Sequence, residues 1–237
     1  MRGEIDGLLV QSGLTVDMLS HLQEDTGFGD RPVVSLTAPI DGCPAVLRDE
    51  RLGGKLAMAH LLELGHRRML HLSKGGRGYP ETARLDGYRD ACREAGISFD
   101  ECLIPVQLTH DHLAEEPLRA AVEAHPEATA LLAHNDPVAI MACYALQGMG
   151  KRIPEDISVV GWDDTDPFPD ANGNNQLTSV GFDLIELGRR AARYLIDRLE
   201  DRPDGGAPAA IQPQLQVRGS TAPPCAKNGY RQSILGR

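Results

Sequence analysis

The residues best suited to chemistry in this chain are Trp162, Asp163 and Asp164, which follow the apolar run Ile157–Gly161. The run predicts a buried strand, and in open α/β sheets ligands bind beyond the carboxyl ends of such strands. A carboxylate accepts two hydrogen bonds from neighbouring hydroxyls, and an indole ring stacks on the apolar face of a sugar. The segment therefore predicts a site for a polyhydroxylated ligand. Trp162 has packing as its alternative role, and Asp164 is expected to cap the loop or orient Asp163.

Three further polar residues stand beside predicted strand ends or helix starts. Asn135 follows the predicted strand Thr129–Ala133, where its amide would bind a hydroxyl or form a turn. Arg84 lies in the first turn of the predicted helix Thr82–Ala95 and is either a surface arginine or a donor to a sugar oxygen or carboxylate. Thr109 begins the next predicted helix and is expected to line the same pocket.

Other chemistries are not favoured by the spacing of the candidate residues. His110 and His112 are two positions apart and would not face each other on a helix. The loop Lys74–Gly78 matches neither glycine-rich phosphate-binding spacing, and no serine lies in a nucleophile elbow. We therefore predict no catalytic residue, no metal and no cofactor.

Composition limits the partners of this chain. The net charge is −10 over 237 residues, which argues against a nucleic-acid footprint because phosphate binding needs a clustered basic surface. The five cysteines are odd in number and form no C-x-x-C pair, which predicts free thiols in a reducing cytoplasm. No apolar run approaches the ~20 residues that span a bilayer, so no membrane partner is expected.

Short apolar runs alternate with helical patterns along most of the chain. This alternation predicts parallel sheets flanked by helices. We expect Asp136 to cap a helix that has Pro137 at its first position, and Asp183 to cap a later helix together with Glu186. The predicted strands are Ile5–Val10, Val33–Leu36, Ala45–Leu47, Met69–Leu72, Leu103–Val106, Thr129–Ala133, Ile157–Gly161 and Leu215–Arg218.

Eight short motifs from about Glu4 to Pro224 resemble, in order, the effector-binding core of the LacI/GalR family of bacterial transcription regulators. They are Ile5–Leu9, Asp49–Gly54, Leu61–Arg68, Arg84–Tyr88, Asn135–Asp136, Arg152–Asp164, Leu177–Val180 and Val217–Thr221. The resemblance implies a two-lobed α/β fold of the periplasmic-binding-protein-like type, with an incomplete N-terminal lobe. The expected divisions are 1–48 and 179–209 in the N-terminal lobe, 49–178 and 210–224 in the C-terminal lobe, and a disordered tail at 225–237.

The resemblance also implies a function, namely the sugar-responsive core of a homodimeric, cytoplasmic regulator. Its effector, expected to be a carbohydrate, would be bound by Asp163, Arg84, Asn135, Trp162 and Thr109. Lobe closure around that effector would be transmitted to operator DNA through a helix-turn-helix that this chain is expected to lack. Three alternatives stay open: a sugar-binding protein of a transport system, a non-functional truncated fragment, and an enzyme that uses the aspartates.

Overall fold

The computed structural model describes residues 5–11, 20–21, 29, 31–75, 78–108, 115–202 and 209–225. The chain divides into two compact units, and the polypeptide passes from one unit to the other several times. The first unit comprises Met1–Glu50, Gly78–Glu81 and Phe182–Pro213, and the second comprises Arg51–Arg77, Thr82–Gly181 and Gln214–Arg237. The lobe boundaries expected from the resemblance stay a prediction, and the short return of Gly78–Glu81 to the first unit is not among them.

The first unit is built on a parallel sheet with the strand order β1-β2-β3. These strands are Leu8–Gln11, Val33–Leu36 and Ala45–Val46. A long helix, Leu184–Leu199, packs on the sheet and buries Leu187 and Ala191 against Val34 and Val46. This helix begins at Asp183, whose carboxylate accepts a hydrogen bond from the N–H of Glu186, so the predicted aspartate cap is confirmed. The predicted partner role of the Glu186 side chain is not seen, because its carboxylate accepts hydrogen bonds from Arg189 and Arg190.

The second unit contains a larger sheet with the strand order β5-β4-β6-β7-β8-β9, in which only β9 runs antiparallel. Its strands are β4 (Met69–Ser73), β5 (Leu103–Gln107), β6 (Ala130–Leu132), β7 (Ser158–Asp163), β8 (Thr178–Gly181) and β9 (Gln214–Gln216). Its helices are α1 (Glu50–Glu63), α2 (Glu81–Glu94), α3 (Phe99–Cys102), α4 (Glu115–Ala124) and α5 (Asp136–Gly148), and the first-unit helix is α6. The direction of winding reverses between β4 and β6, and such a switch point is where doubly wound sheets bind ligands.

The central strands of this sheet are buried because both of their faces are covered. Every residue of β6 and β8 is buried, and so are the first five residues of β7. A parallel sheet with helices on its faces produces this continuous burial, in place of the alternation of a half-exposed sheet. The fold therefore confirms the predicted α/β class with parallel sheets flanked by helices.

The helix α5 differs from the prediction at its first residue. Asn135 is the N-cap, and its Oδ1 accepts a hydrogen bond from the N–H of Val138 at 3.1 Å. The predicted cap, Asp136, is instead the first helical residue, and its carboxylate is fully buried and bonded elsewhere. The prediction of Asp136 as the cap was therefore wrong, because a buried partner outside the helix binds this carboxylate.

Two expected features lie outside the described residues, namely Thr109 at a helix start and the tail after Cys225. Within the described ranges, no helix is long and apolar enough to cross a membrane.

Candidate ligand-binding site

The candidate residues of the second unit gather at the carboxyl edge of its parallel sheet. Asn135 follows β6 at the switch point, and Asp163 is the last residue of β7, the next strand along the sheet. Arg84 comes from the helix α2 and has 4% of its surface exposed. Parallel strands end at the same edge of a sheet, so the topology brings these side chains to one region.

Arg84 links the two strand ends directly. Its Nη1 donates a hydrogen bond of 2.6 Å to the backbone oxygen of His134, which immediately precedes Asn135. Its guanidinium also lies over the ring of Trp162, which immediately precedes Asp163, with Cζ 4.0 Å from the ring centroid. A planar cation over an indole face is a favourable electrostatic arrangement, and it orients the guanidinium plane.

Trp162 is placed as a platform for Arg84 in this structure. Only 1% of its surface is exposed, and the edge of its ring approaches Gly53 so closely that a Cβ added there would lie 2.9 Å from Cη2. A sugar needs an open ring face for stacking, and this ring face is covered by the guanidinium of Arg84. The arrangement therefore favours packing, the alternative role of Trp162, over direct sugar stacking.

Glycines in α1 and α2 allow the helix approach that places Arg84. A Cβ on Gly54 would lie 2.4 Å from the backbone oxygen of Arg84, and a Cβ on Gly87 would lie 2.0 Å from the backbone oxygen of Arg51. Both distances are far below van der Waals contact, so side chains at these positions would force the helices apart. The close crossing of α1 and α2 therefore depends on these two residues.

The turn after β7 has an unusual backbone. Asp163 has a φ of 94° and Asp164 a φ of 54°, in the left-handed region that non-glycine residues seldom occupy. Asp164 also lies over the neighbouring strand, where a Cβ added to Gly181 would meet the Asp164 Cβ at 2.9 Å. Backbone strain of this kind concentrates at binding and active sites.

Asp164 forms a two-pronged ion pair with Arg218. The Nη1–Oδ1 and Nη2–Oδ2 distances are 2.6 and 3.0 Å, and Nη1 also donates to the backbone oxygen of Leu177 at 2.7 Å. The hydrogen bond to Asp164 raises the pKa of the Arg218 guanidinium. This pair fixes Asp164, and Asp163 before it is a second half-buried carboxylate at the end of β7.

Asp136 is a fully buried carboxylate beneath this turn. It accepts hydrogen bonds from the hydroxyl of Ser179 at 2.6 Å and from the backbone N–H groups of Thr165 and Asp166 at 2.8 and 3.4 Å. Burial raises its pKa, and these hydrogen bonds oppose that effect. The sequence offered only a weak signal for its role, since an aspartate at a helix start is usually a cap.

Ser179 and Arg218 are the other residues that the sequence did not mark as part of the site. Each occurs within a family motif, but no rule of spacing relates either of them to Asp163 or Asp136. Their roles depend on β8 lying beside β7, which brings Ser179 opposite Gly161. Within the described ranges no group of three or more His, Cys, Asp or Glu could hold a metal ion, and the His110–His112 pair lies outside those ranges.

The comparison with known families defines the class of this protein. Residues 58–221 match the model of the periplasmic binding protein-like domain, which is more than half of the chain. The fold also matches the LacI-family regulator of Enterococcus faecium with bound ribose, at a TM-score of 0.75 and 28% identity, covering 92% of this chain and 80% of that one. The class is therefore a two-unit α/β effector-binding protein of the periplasmic-binding-protein-like type.

Two further relatives identify the branch of that class. The regulator CelR of Thermobifida fusca is 31% identical over 221 residues, covering 91% of this chain and 63% of its own length. A CelR–cellobiose complex has a TM-score of 0.73 and 30% identity, and the regulator DegA of Bacillus subtilis is 30% identical over 224 residues. The chain belongs to the LacI family and contains the effector-binding region of its regulators. It spans about two thirds of the length of these curated relatives.

Proposed function

We propose that this chain is the carbohydrate-binding, dimer-forming core of a cytoplasmic LacI-type transcription regulator. Asp163, Asn135 and Arg84 bind hydroxyl groups of the sugar, Thr109 contributes to the same pocket, and Trp162 acts by supporting Arg84. In the intact regulator, sugar binding changes the affinity for operator DNA, with a coupling typically of ~1–3 kcal/mol. The chain carries out no catalysis.

One observation carries this proposal. Arg84 contacts both His134 and Trp162, the residues that directly precede Asn135 and Asp163. These contacts support the proposal that an amide, a guanidinium and a carboxylate bind one ligand at a switch point of a doubly wound sheet. Together they offer donors and acceptors at fixed positions, which suits the adjacent hydroxyls of a sugar.

The relatives support the class of ligand. The Enterococcus faecium regulator binds ribose, and CelR binds cellobiose. Both are polyhydroxylated and uncharged, so ribose and cellobiose are the first probes to test on this chain, with glucose as a third.

Titration calorimetry with these three sugars tests the proposal. We expect at least one to bind, and we expect Asp163→Asn to raise its Kd. The substitution turns one acceptor oxygen into an amide donor and removes the charge. Losing a hydrogen bond to a charged group costs about 1.5–3 kcal/mol, which corresponds to about a tenfold to hundredfold rise in Kd.

Asp86→Asn is the matched control, because Asp86 is an exposed carboxylate on α2 that pairs with Arg89 at 2.9 Å. It should leave the Kd unchanged. Trp162 is the only tryptophan of the chain, so its fluorescence provides an independent signal of binding near Asp163. Binding of none of the three sugars, or equal affinity of the wild type and Asp163→Asn, would contradict the proposal.

A further inference from the structure

The turn that carries Asp163 needs support from its surroundings. Two consecutive aspartates adopt positive φ values, 94° and 54°, where L side chains are strained. Such a conformation persists only when neighbouring contacts fix it. Here the contacts are hydrogen bonds donated by the three consecutive backbone N–H groups after Asp163.

Those three N–H groups all point to one buried acceptor system. The N–H of Asp164 donates to the Ser179 hydroxyl at 3.2 Å, and that hydroxyl donates to Asp136 Oδ1 at 2.6 Å. The N–H groups of Thr165 and Asp166 donate to Asp136 Oδ2 at 2.8 and 3.4 Å. Because Asp136 is fully buried and belongs to α5, these bonds attach the turn to the helix that begins beside Asn135.

Arg218 also holds this turn. Its guanidinium donates hydrogen bonds to both carboxylate oxygens of Asp164 and to the backbone oxygen of Leu177. The side chain of Asp164 is therefore bound to the C-terminal segment of the second unit. Bidentate arginine–carboxylate pairs fix orientation as well as distance. Adjacent aspartates at positions 163 and 164 thereby acquire different roles.

We infer that Asp136, Ser179 and Arg218 are positioning residues that set the direction of the Asp163 carboxylate, and with it the affinity for the sugar. This inference rests on the proposed function. The two residues that bind hydroxyls, Asn135 and Asp163, are then mechanically linked through Asp136, which adjoins one and supports the turn of the other.

Four variants of the full chain test this inference, with ribose, cellobiose and glucose as the probes. Asp136→Ala removes the acceptor, and Asp136→Asn restores one oxygen of similar geometry. Arg218→Gln breaks the outer support at a side chain that is 25% exposed, so this variant is the safer one for folding. Arg152→Gln is the matched control, because it removes a comparable two-pronged pair with Asp156, at 2.9 and 2.7 Å, elsewhere in the unit.

We expect Asp136→Ala to raise the Kd of the tightest-binding probe at least tenfold, with partial recovery in Asp136→Asn. Arg218→Gln should raise it at least threefold, and Arg152→Gln should leave it unchanged. Amide hydrogen exchange at Thr165 and Asp166 should accelerate in Asp136→Ala and far less in Asp136→Asn. This exchange reports the turn directly and needs no sugar.

Three results would overturn the inference. Unchanged sugar affinity in Arg218→Gln and in the folded Asp136 variants, with faster exchange at Thr165 and Asp166, would make the contacts purely structural. An equal loss of sugar affinity in the control Arg152→Gln would mean that the variants act by general destabilisation. If the wild type binds none of the three probes, the proposed function fails first and the inference falls with it. That outcome is recognised in the wild-type titration alone.

Discussion

Replacing His66 with glutamine should remove an acid-dependent loss of stability from the second unit. His66 is 1% exposed, with Nδ1 2.8 Å from the Thr129 hydroxyl and Nε2 3.0 Å from the backbone oxygen of Ala222. A carbonyl only accepts, so Nε2 carries the proton and the Thr129 hydroxyl donates to Nδ1. The ring is thus held neutral, and burial lowers the pKa of His66 from 6.5 to about 4.

The sign of the pH effect follows from this lowered pKa. Between pH 6.5 and about 4 the unfolded chain binds a proton at His66 and the folded chain does not. The stabilising effect of the neutral ring is complete above pH 6.5 and is lost as the pH falls towards 4. At about 1.4 kcal/mol per pKa unit, the loss between pH 7.5 and pH 5 is about 2 kcal/mol. Burial also lowers the pKa of His60. This lowered pKa contributes a loss of stability at acid pH to the wild type and to His66→Gln alike.

Urea unfolding followed by Trp162 fluorescence measures this effect, because Trp162 and His66 belong to the same unit. We expect His66→Gln to be less stable than the wild type at pH 7.5, because buried partners lose a hydrogen bond, and to approach it at pH 5. The control is His125→Gln, which changes a half-buried ring 3.3 Å from Glu127. Parallel pH dependences for the wild type and His66→Gln would refute the reasoning.

The crossing of α1 and α2 and the stacked arginine give two further predictions. Gly87→Ala should lower the stability by about 1–3 kcal/mol through overpacking against the Arg51 backbone. Gly148→Ala, where an added Cβ meets no atom within 4 Å, should be neutral or slightly stabilising, and circular dichroism during urea unfolding compares the two. Arg84→Lys should lower the free energy of unfolding by about 1–2 kcal/mol and change the emission spectrum of Trp162. An ammonium group has no planar face to stack on the indole and cannot donate hydrogen bonds in the planar geometry of a guanidinium. An unchanged emission spectrum and unfolding midpoint would contradict the second prediction.

Most strands of the two sheets could be predicted because their sequences are continuous apolar runs. The strand Val33–Leu36 was predicted with its observed bounds, and β7 was found, although it extends two residues further than expected, to Asp163. That extension depends on pairing of Trp162 with Val180 on β8. The strand β8 itself was not predicted, because its sequence, Thr178–Gly181, is short and half polar, and its burial comes from the neighbouring strands.

The candidate site could be predicted only where a side chain stands at a strand end or helix start. The pattern of an apolar strand followed by a polar residue is enough to select Asp163 and Asn135. It does not distinguish the cap from the buried carboxylate in Asn135-Asp136, because that depends on Ser179, 43 residues away in sequence. The covered face of Trp162 likewise depends on a helix that no local pattern relates to it.

The strained turn after β7 is held by contacts from outside position 163. A left-handed conformation at a non-glycine residue costs of order 1–3 kcal/mol, and glycine avoids this cost. Asp164 offsets its cost through the ion pair with Arg218. The N–H of Asp164 is bound by Ser179, and the N–H groups of Thr165 and Asp166 are bound by Asp136. Under the proposed function, a hydroxyl-bearing ligand then meets a charged acceptor whose direction these contacts have already fixed.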